Sequence, residues 1–115
     1  MHSSYEFKQT PIFSVRLDAT KDLGLLEKIE AEISKNPTGG ALLRGGIRKI
    51  RVAPSERATG KSGGYRVLYF YQMPDVIHLL FLIDKRKAPN LTPDQEEFLI
   101  QGLKRVLDDV ARERN

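Results

Sequence analysis

Two apolar segments in the second half of the chain most constrain its fold. Residues 65–72 read YRVLYFYQ and residues 76–83 read VIHLLFLI, with only Met73-Pro74-Asp75 between them. The first segment is dense in aromatic and large apolar side chains. The second is apolar at successive positions, so both of its faces need cover, as in a central strand. The sequence therefore predicts two antiparallel strands joined by a tight turn.

A third strand is predicted just before this pair. Ile47–Val52 alternates in character from its second residue onward, which is typical of a strand. Lys49 and Arg51 share one of its faces, whereas Arg48 and Ile50 point to the other. The three segments together predict an antiparallel meander.

The N-terminal third predicts one strand and one helix. Residues 11–17 (PIFSVRL) are apolar at every second position, which favours a strand. From about Thr20 to Asn36 the apolar residues recur at helical spacing. Pro37 ends this helix, because the residue before a proline is disfavoured in the α conformation. Residues 1–9 are assigned to an N-terminal tail.

The last helix has the clearest start. Thr92 suits the N-cap, Pro93 suits the first helical position, and Gln95 completes a capping box. An apolar stripe follows at Leu99, Leu103, Val106 and Val110. Residues 10–115 are thus predicted to form one α+β domain: a small antiparallel sheet (strand, helix, three-strand meander) with a C-terminal helix.

Composition excludes several kinds of site. The chain has no cysteine, and its two histidines are His2 in the tail and His78 inside an apolar strand, where a packed or hydrogen-bonded role is expected. No Ser/His/Asp set is present for nucleophilic catalysis. No apolar run is long enough to cross a membrane. We expect a cytoplasmic protein that binds no metal or other cofactor.

Positive charge is concentrated in one segment. Residues 44–66 contain seven Lys or Arg and a single acid, Glu56, so this segment carries +6 while the rest of the chain carries −2. In an antiparallel meander Arg66 would lie near Lys49 and Arg51. The acids on or next to the helices are expected to face solvent, which leaves few partners for these cations. The charge pattern predicts a polyanion-binding surface.

In their order and spacing, these segments resemble the RelE/HigB toxins of bacterial type II toxin–antitoxin systems, in particular the HigB-like branch. The similar segments are TPIFSVRL at 10–17, NPTGG at 36–40, GGIRKIRVA at 45–53, GKSGGYRVLYFY at 60–71 and HLLFLIDKRKAPNLTPDQ at 78–95. The resemblance implies a RelE/ParE-like fold and a ribosome-dependent endonuclease that cuts mRNA. It also implies a co-encoded antitoxin, often with a helix-turn-helix domain, as a partner besides the ribosome.

The resemblance also implies roles for individual residues. RelE-type enzymes act without metal, through attack of a neighbouring 2′-hydroxyl on the phosphate. Lys49 would be the base, Arg51 and Arg66 would stabilise the phosphate, and Arg86 would protonate the leaving group or hold the phosphate. Contacts to RNA or the ribosome are expected from Arg48, Arg57, Lys61, Tyr65, Lys85 and Lys87. Typical members also have a tyrosine near the C-terminus, and the region around Leu91 has none.

Two other functions stay open. A ParE-like toxin would share the fold but inhibit a protein target such as DNA gyrase, and it would not need the basic set at 49, 51, 66 and 86. A stand-alone RNA-binding module would bind RNA tightly and in a salt-sensitive manner, without cutting it.

Overall fold

A computed structural model describes residues 5–55, 64–85 and 91–114, with side chains described as far as residue 109. Within these residues the chain forms five strands and three α-helices. In chain order they are β1 (Glu6–Gln9), α1 (Pro11–Thr20), α2 (Leu25–Lys35), β2 (Ala41–Leu42), β3 (Arg48–Val52), β4 (Tyr65–Gln72), β5 (Val76–Asp84) and α3 (Pro93–Arg114). None of the described helices is both long and apolar enough to span a bilayer.

The strands form one mixed sheet in the order β1-β5-β4-β3-β2. The meander predicted from β3 to β5 is confirmed, since β3 pairs antiparallel with β4 and β4 with β5. The strand at Val76–Asp84 is an inner strand, as its two apolar faces predicted. The sheet is not purely antiparallel, because β1 runs parallel to β5. The domain is therefore α+β with a five-strand mixed sheet.

The prediction of a strand at residues 11–17 was wrong. Thr10 caps a helix there, its hydroxyl oxygen accepting a hydrogen bond of 3.0 Å from the backbone N–H of Phe13. Pro11 occupies the first turn, where its missing N–H costs nothing. The strand in this region is instead Glu6–Gln9, within the segment that we expected to be a tail.

Both faces of the sheet are covered by helices. Helices α1 and α2 cover one face, in a core formed by Phe13, Leu25, Ile29, Ile33, Val52, Tyr65, Val67, Tyr69, Ile77, Leu79 and Leu82. Helix α3 covers the other face, in a second core formed by Ile47, Leu68, Leu80, Ile100 and Leu103. Alternate residues of β4 face the two cores, as the period of a strand requires.

Helix α3 begins where the sequence predicts. The backbone N–H of Thr92 donates to the Gln95 side chain at 2.9 Å, and the Gln95 N–H donates to the Thr92 hydroxyl at 3.1 Å, which completes the capping box. The predicted apolar stripe is only partly correct. Leu103 is buried, but Ile100 is its buried neighbour and Val106 is exposed. The side chain of Val110 lies outside the described residues.

Candidate functional site

The register of the meander brings the central basic residues together. Arg51 on β3 and Arg66 on β4 are direct Cα partners, and Lys49 lies two residues before Arg51 on the same face. The sequence predicts this proximity, and the strand pairing confirms it. Three cationic side chains from two adjacent strands therefore occupy one patch of the sheet.

This patch borders an open cleft of about 330 Å³. Lys49, Arg66, Lys85 and Glu96 supply its polar side chains, and its apolar wall comprises Ile83, Leu91 and Pro93. The strands β3, β4 and β5 provide one side, and the beginning of α3 provides the other. We call this feature the cationic cleft.

Arg51 lies on the outer side of the same patch. It lines a second, wider groove of about 490 Å³ between the end of α2 and the strands β2 and β3, and Lys49 lines both depressions. The groove also contains Lys35 and Glu32, which pair with each other at 3.4 Å. Positive charge therefore continues from the cationic cleft across β3 to the sheet edge.

The electrostatics of Arg66 reflect its crowded position. Partial burial lowers the pKa of the Arg66 guanidinium, and the positive charge of Arg51 lowers it further. Arginine nevertheless stays cationic at neutral pH. Two adjacent guanidinium groups repel each other, and an anion bound between them would relieve this repulsion. The pair is suited to holding a phosphate.

Lys49 has a partner that the sequence did not lead us to expect. Its ammonium donates a hydrogen bond of 2.8 Å to a carboxylate oxygen of Glu96 at the start of α3. About a third of each side chain is exposed (33% and 30%). The prediction that the acids of this helix simply face solvent was wrong for Glu96, and also for Glu97, which pairs with Arg44 at 3.1 Å.

This ion pair bears on the chemical role of Lys49. The Lys49 side chain donates this hydrogen bond, and Glu96 accepts it. In this arrangement Lys49 is a hydrogen-bond donor and not a proton acceptor.

Two residues predicted to contact RNA have contacts within the protein, and for Tyr65 they contradict the prediction. Tyr65 is fully buried, because odd-numbered residues of β4 face the core under α1 and α2, so its ring cannot stack on a base. Arg48 points to the face opposite Lys49 and donates to the carbonyl oxygens of Thr38 and Gly40 at 2.8 and 3.0 Å. It holds the segment between α2 and β2 in place.

The remaining predicted residues divide into two groups. Lys85 lines the cationic cleft, as its position after β5 suggested. The other four, which lie outside the described residues, are Arg57, Lys61, Arg86 and Lys87.

The prediction for His78 is confirmed, since it is buried in β5 and shares a hydrogen bond of 2.8 Å with Gln72.

Glu96 is the site residue that sequence reasoning missed. One signal could have found it. The capping box at Thr92 fixes where α3 begins, only a few residues after Lys85 and therefore close to the end of β5. Acids in the first turn of that helix, Asp94 and Glu96, were thus bound to lie near the basic strand ends.

No family model matches this chain. Among the described residues, no cluster of three or more His, Asp or Glu side chains is arranged to hold a metal ion.

Proposed function

We propose that this protein is a ribosome-dependent mRNA endonuclease, a toxin of the RelE/HigB type that a cognate antitoxin neutralises. The pairing of Arg51 with Arg66 across adjacent strands carries the proposal. Lys49 and Lys85 add two further cations at the cleft beside this pair. A ribonucleotide chain is the polyanion that the resemblance favours.

The arrangement suits cleavage by the neighbouring 2′-hydroxyl. In that reaction O2′ attacks the phosphorus, the bond to the 5′-oxygen breaks, and the products are a 2′,3′-cyclic phosphate and a 5′-hydroxyl. Negative charge accumulates on the phosphate in the transition state. Arg51 and Arg66 can donate hydrogen bonds to its oxygens, and fixed cations of this kind supply much of the rate enhancement in such sites.

The partners follow from the same charge distribution. An antitoxin that presents carboxylates to the patch formed by Lys49, Arg51 and Arg66 would block it directly. The ribosome offers RNA phosphates to the cations around the cleft. Arg57, Lys61, Arg86 and Lys87, which lie outside the described residues, remain predictions for those contacts.

The test uses the purified protein in a reconstituted translation reaction, with the cut positions and rates on a defined mRNA read by primer extension. We expect the wild-type protein to cut the message only when it is ribosome-bound. Arg66→Ala should lower the cleavage rate by about 100-fold or more, the usual loss for one transition-state donor.

Arg44→Ala is the matched control. Arg44 belongs to the same basic segment, but it pairs with Glu97 and does not line the cationic cleft. Its replacement should leave the cleavage rate within a few-fold of wild type, with circular dichroism confirming that all variants fold. Intact message combined with inhibition of DNA gyrase would favour the ParE-like alternative. Binding of RNA without cleavage would favour an RNA-binding module.

A further inference from the structure

Glu96 is an acid at the centre of a cationic site. Of the described side chains that line the cationic cleft, it is the only carboxylate; the others are the cations Lys49, Arg66 and Lys85 and three apolar residues. A negative charge at this position weakens phosphate binding. Its presence in the cleft therefore calls for an explanation.

A contribution to the stability of the fold explains little of why Glu96 lies in the cationic cleft. The Lys49–Glu96 pair is about one third exposed, and ion pairs of that kind contribute only weakly to the free energy of unfolding. An acid in the first turn of a helix does interact favourably with the helix dipole, but Asp94 already occupies that turn from an exposed position. Neither effect requires Glu96 to point into the cleft.

A role in proton transfer explains the position of Glu96 better. Attack by a 2′-hydroxyl needs a group that can accept the hydroxyl proton at neutral pH. The ammonium and guanidinium groups of Lys49, Arg66 and Lys85 offer hydrogen-bond donors, and Lys49 already donates to Glu96, whereas a carboxylate offers acceptor lone pairs on both oxygens. Among the described groups at the cleft, Glu96 alone can accept that proton.

We infer, on the basis of the proposed function, that Glu96 is the general base and that Lys49 positions it. The 2.8 Å hydrogen bond from Lys49 fixes one carboxylate oxygen of Glu96 and leaves the other for the 2′-hydroxyl. The proton passes from O2′ to Glu96 as the O2′–phosphorus bond forms. The bond to the 5′-oxygen breaks, the 5′-oxygen takes a proton from water, and Glu96 then releases its own proton to water.

The decisive variant is Glu96→Gln, assayed in the same ribosomal cleavage reaction and in a separate RNA-binding titration. Glutamine keeps an oxygen that accepts from Lys49, so the local geometry is preserved, but it cannot take a proton. We expect the cleavage rate to fall by about 10²- to 10⁴-fold, the range for loss of a general base. RNA affinity should stay the same or rise, because a negative charge has been removed from the cleft.

Glu97→Gln is the matched control, since Glu97 is the next residue of the same helix and pairs with Arg44 outside the cleft. It should cut at the wild-type rate. Lys49→Met should reduce cleavage less than Glu96→Gln does, and the double variant should be no slower than Glu96→Gln alone. A Lys49→Met variant that is the more severely impaired of the two would assign the base to Lys49 and overturn the inference.

The remaining outcomes separate this inference from the function on which it rests. If wild type and Glu96→Gln cut at similar rates, Glu96 is not the base although the protein is a nuclease. A faster Glu96→Gln enzyme would mean that the acid only restrains Lys49, which also overturns the inference. Failure of the wild-type protein to cut mRNA on the ribosome would overturn the proposed function and the role of Glu96 with it.

Discussion

At the scale of single residues, Tyr69 shows how one side chain secures a connecting segment. It is fully buried, and its hydroxyl donates to the Pro37 carbonyl at 2.9 Å and accepts from the Gly40 N–H at 3.3 Å. Burial raises the pKa of the Tyr69 phenol, partly offset by that Gly40 hydrogen bond. A side chain at Gly40 would meet Ile50 and the phenol oxygen at 2.9 Å, so only glycine permits this close approach.

Replacing Tyr69 by phenylalanine should therefore destabilise the protein. The change leaves the Pro37 carbonyl and the Gly40 N–H without this partner, which costs about 1–3 kcal/mol when such groups are buried. Urea denaturation would measure the loss. Tyr71→Phe is the control, because the Tyr71 hydroxyl donates to the carbonyl of the exposed Pro74 and water can replace it. Equal losses in the two variants would contradict this account of Tyr69.

At the scale of elements, the same dipeptide begins two helices. Thr10-Pro11 opens α1 and Thr92-Pro93 opens α3. The sequence allowed the second start to be predicted, because a capping box and a helical apolar period agree with it. At the first start, the alternating apolar residues of 11–17 pointed to a strand. Only Phe13 of that alternating set is fully buried in the tertiary structure, and Val15 is 64% exposed, so the cap decided the conformation and the apolar period did not.

The N-caps Thr10 and Thr92 should contribute differently to the free energy of unfolding. Thr92→Ala removes one exposed capping hydrogen bond and should lower the free energy of unfolding by about 1 kcal/mol. Thr10→Ala removes a cap and also the hydrogen bond of 2.9 Å that the Thr10 hydroxyl donates to the Leu80 carbonyl, which ties α1 to β5. We expect a loss about twice as large. Urea denaturation of both variants checks this order, and a more damaging Thr92→Ala would refute it.

The sequence could predict the part of the site that depends on strand pairing, but not the part that depends on helix packing. Strand period and the order of consecutive strands were enough to predict that Arg66 lies near Lys49 and Arg51. The exact pairing of Arg66 with Arg51 came only from the structure, because residues 53–64 separate the two strands and no short turn fixes their register. The capping box indicates that the first-turn acids of α3 lie near the end of β5. Which of them reaches Lys49 depends on how α3 packs across the sheet through Ile100 and Leu103, and no local pattern encodes that packing. The burial of Tyr65 could not be predicted either, because it depends on the packing of α1 and α2 against that face of β4.

At the scale of the whole molecule, the helices on the two faces of the sheet limit where its cationic side chains reach the surface. Helices cover both faces of the sheet, and within the described part of the chain the positive patch of Lys49, Arg51 and Arg66 opens beside the start of α3 and into the groove between α2, β2 and β3. A positive field confined in this way attracts a nucleic acid to one place. Binding should therefore depend on a few identifiable phosphate contacts.

Salt dependence measures those contacts. For single-stranded RNA, each phosphate neutralised by the protein contributes about 0.7 to the slope of log K against log salt. Arg51→Ala and Arg66→Ala should each lower the slope by about that amount, and the double variant by about twice as much. Fluorescence anisotropy of a short labelled RNA over a potassium chloride series would give the slopes. A comparable change in the Arg44→Ala control would indicate a diffuse field instead of a defined site.

The parallel pairing of the first strand with the last has a consequence for biosynthesis. While the chain is being translated, Glu6–Gln9 leaves the exit tunnel long before its partner strand Val76–Asp84 does. Glu96 emerges later still, so the nascent polypeptide lacks a complete cleft until α3 is released. The cleft is therefore assembled only after α3 has left the exit tunnel and can pack on the sheet.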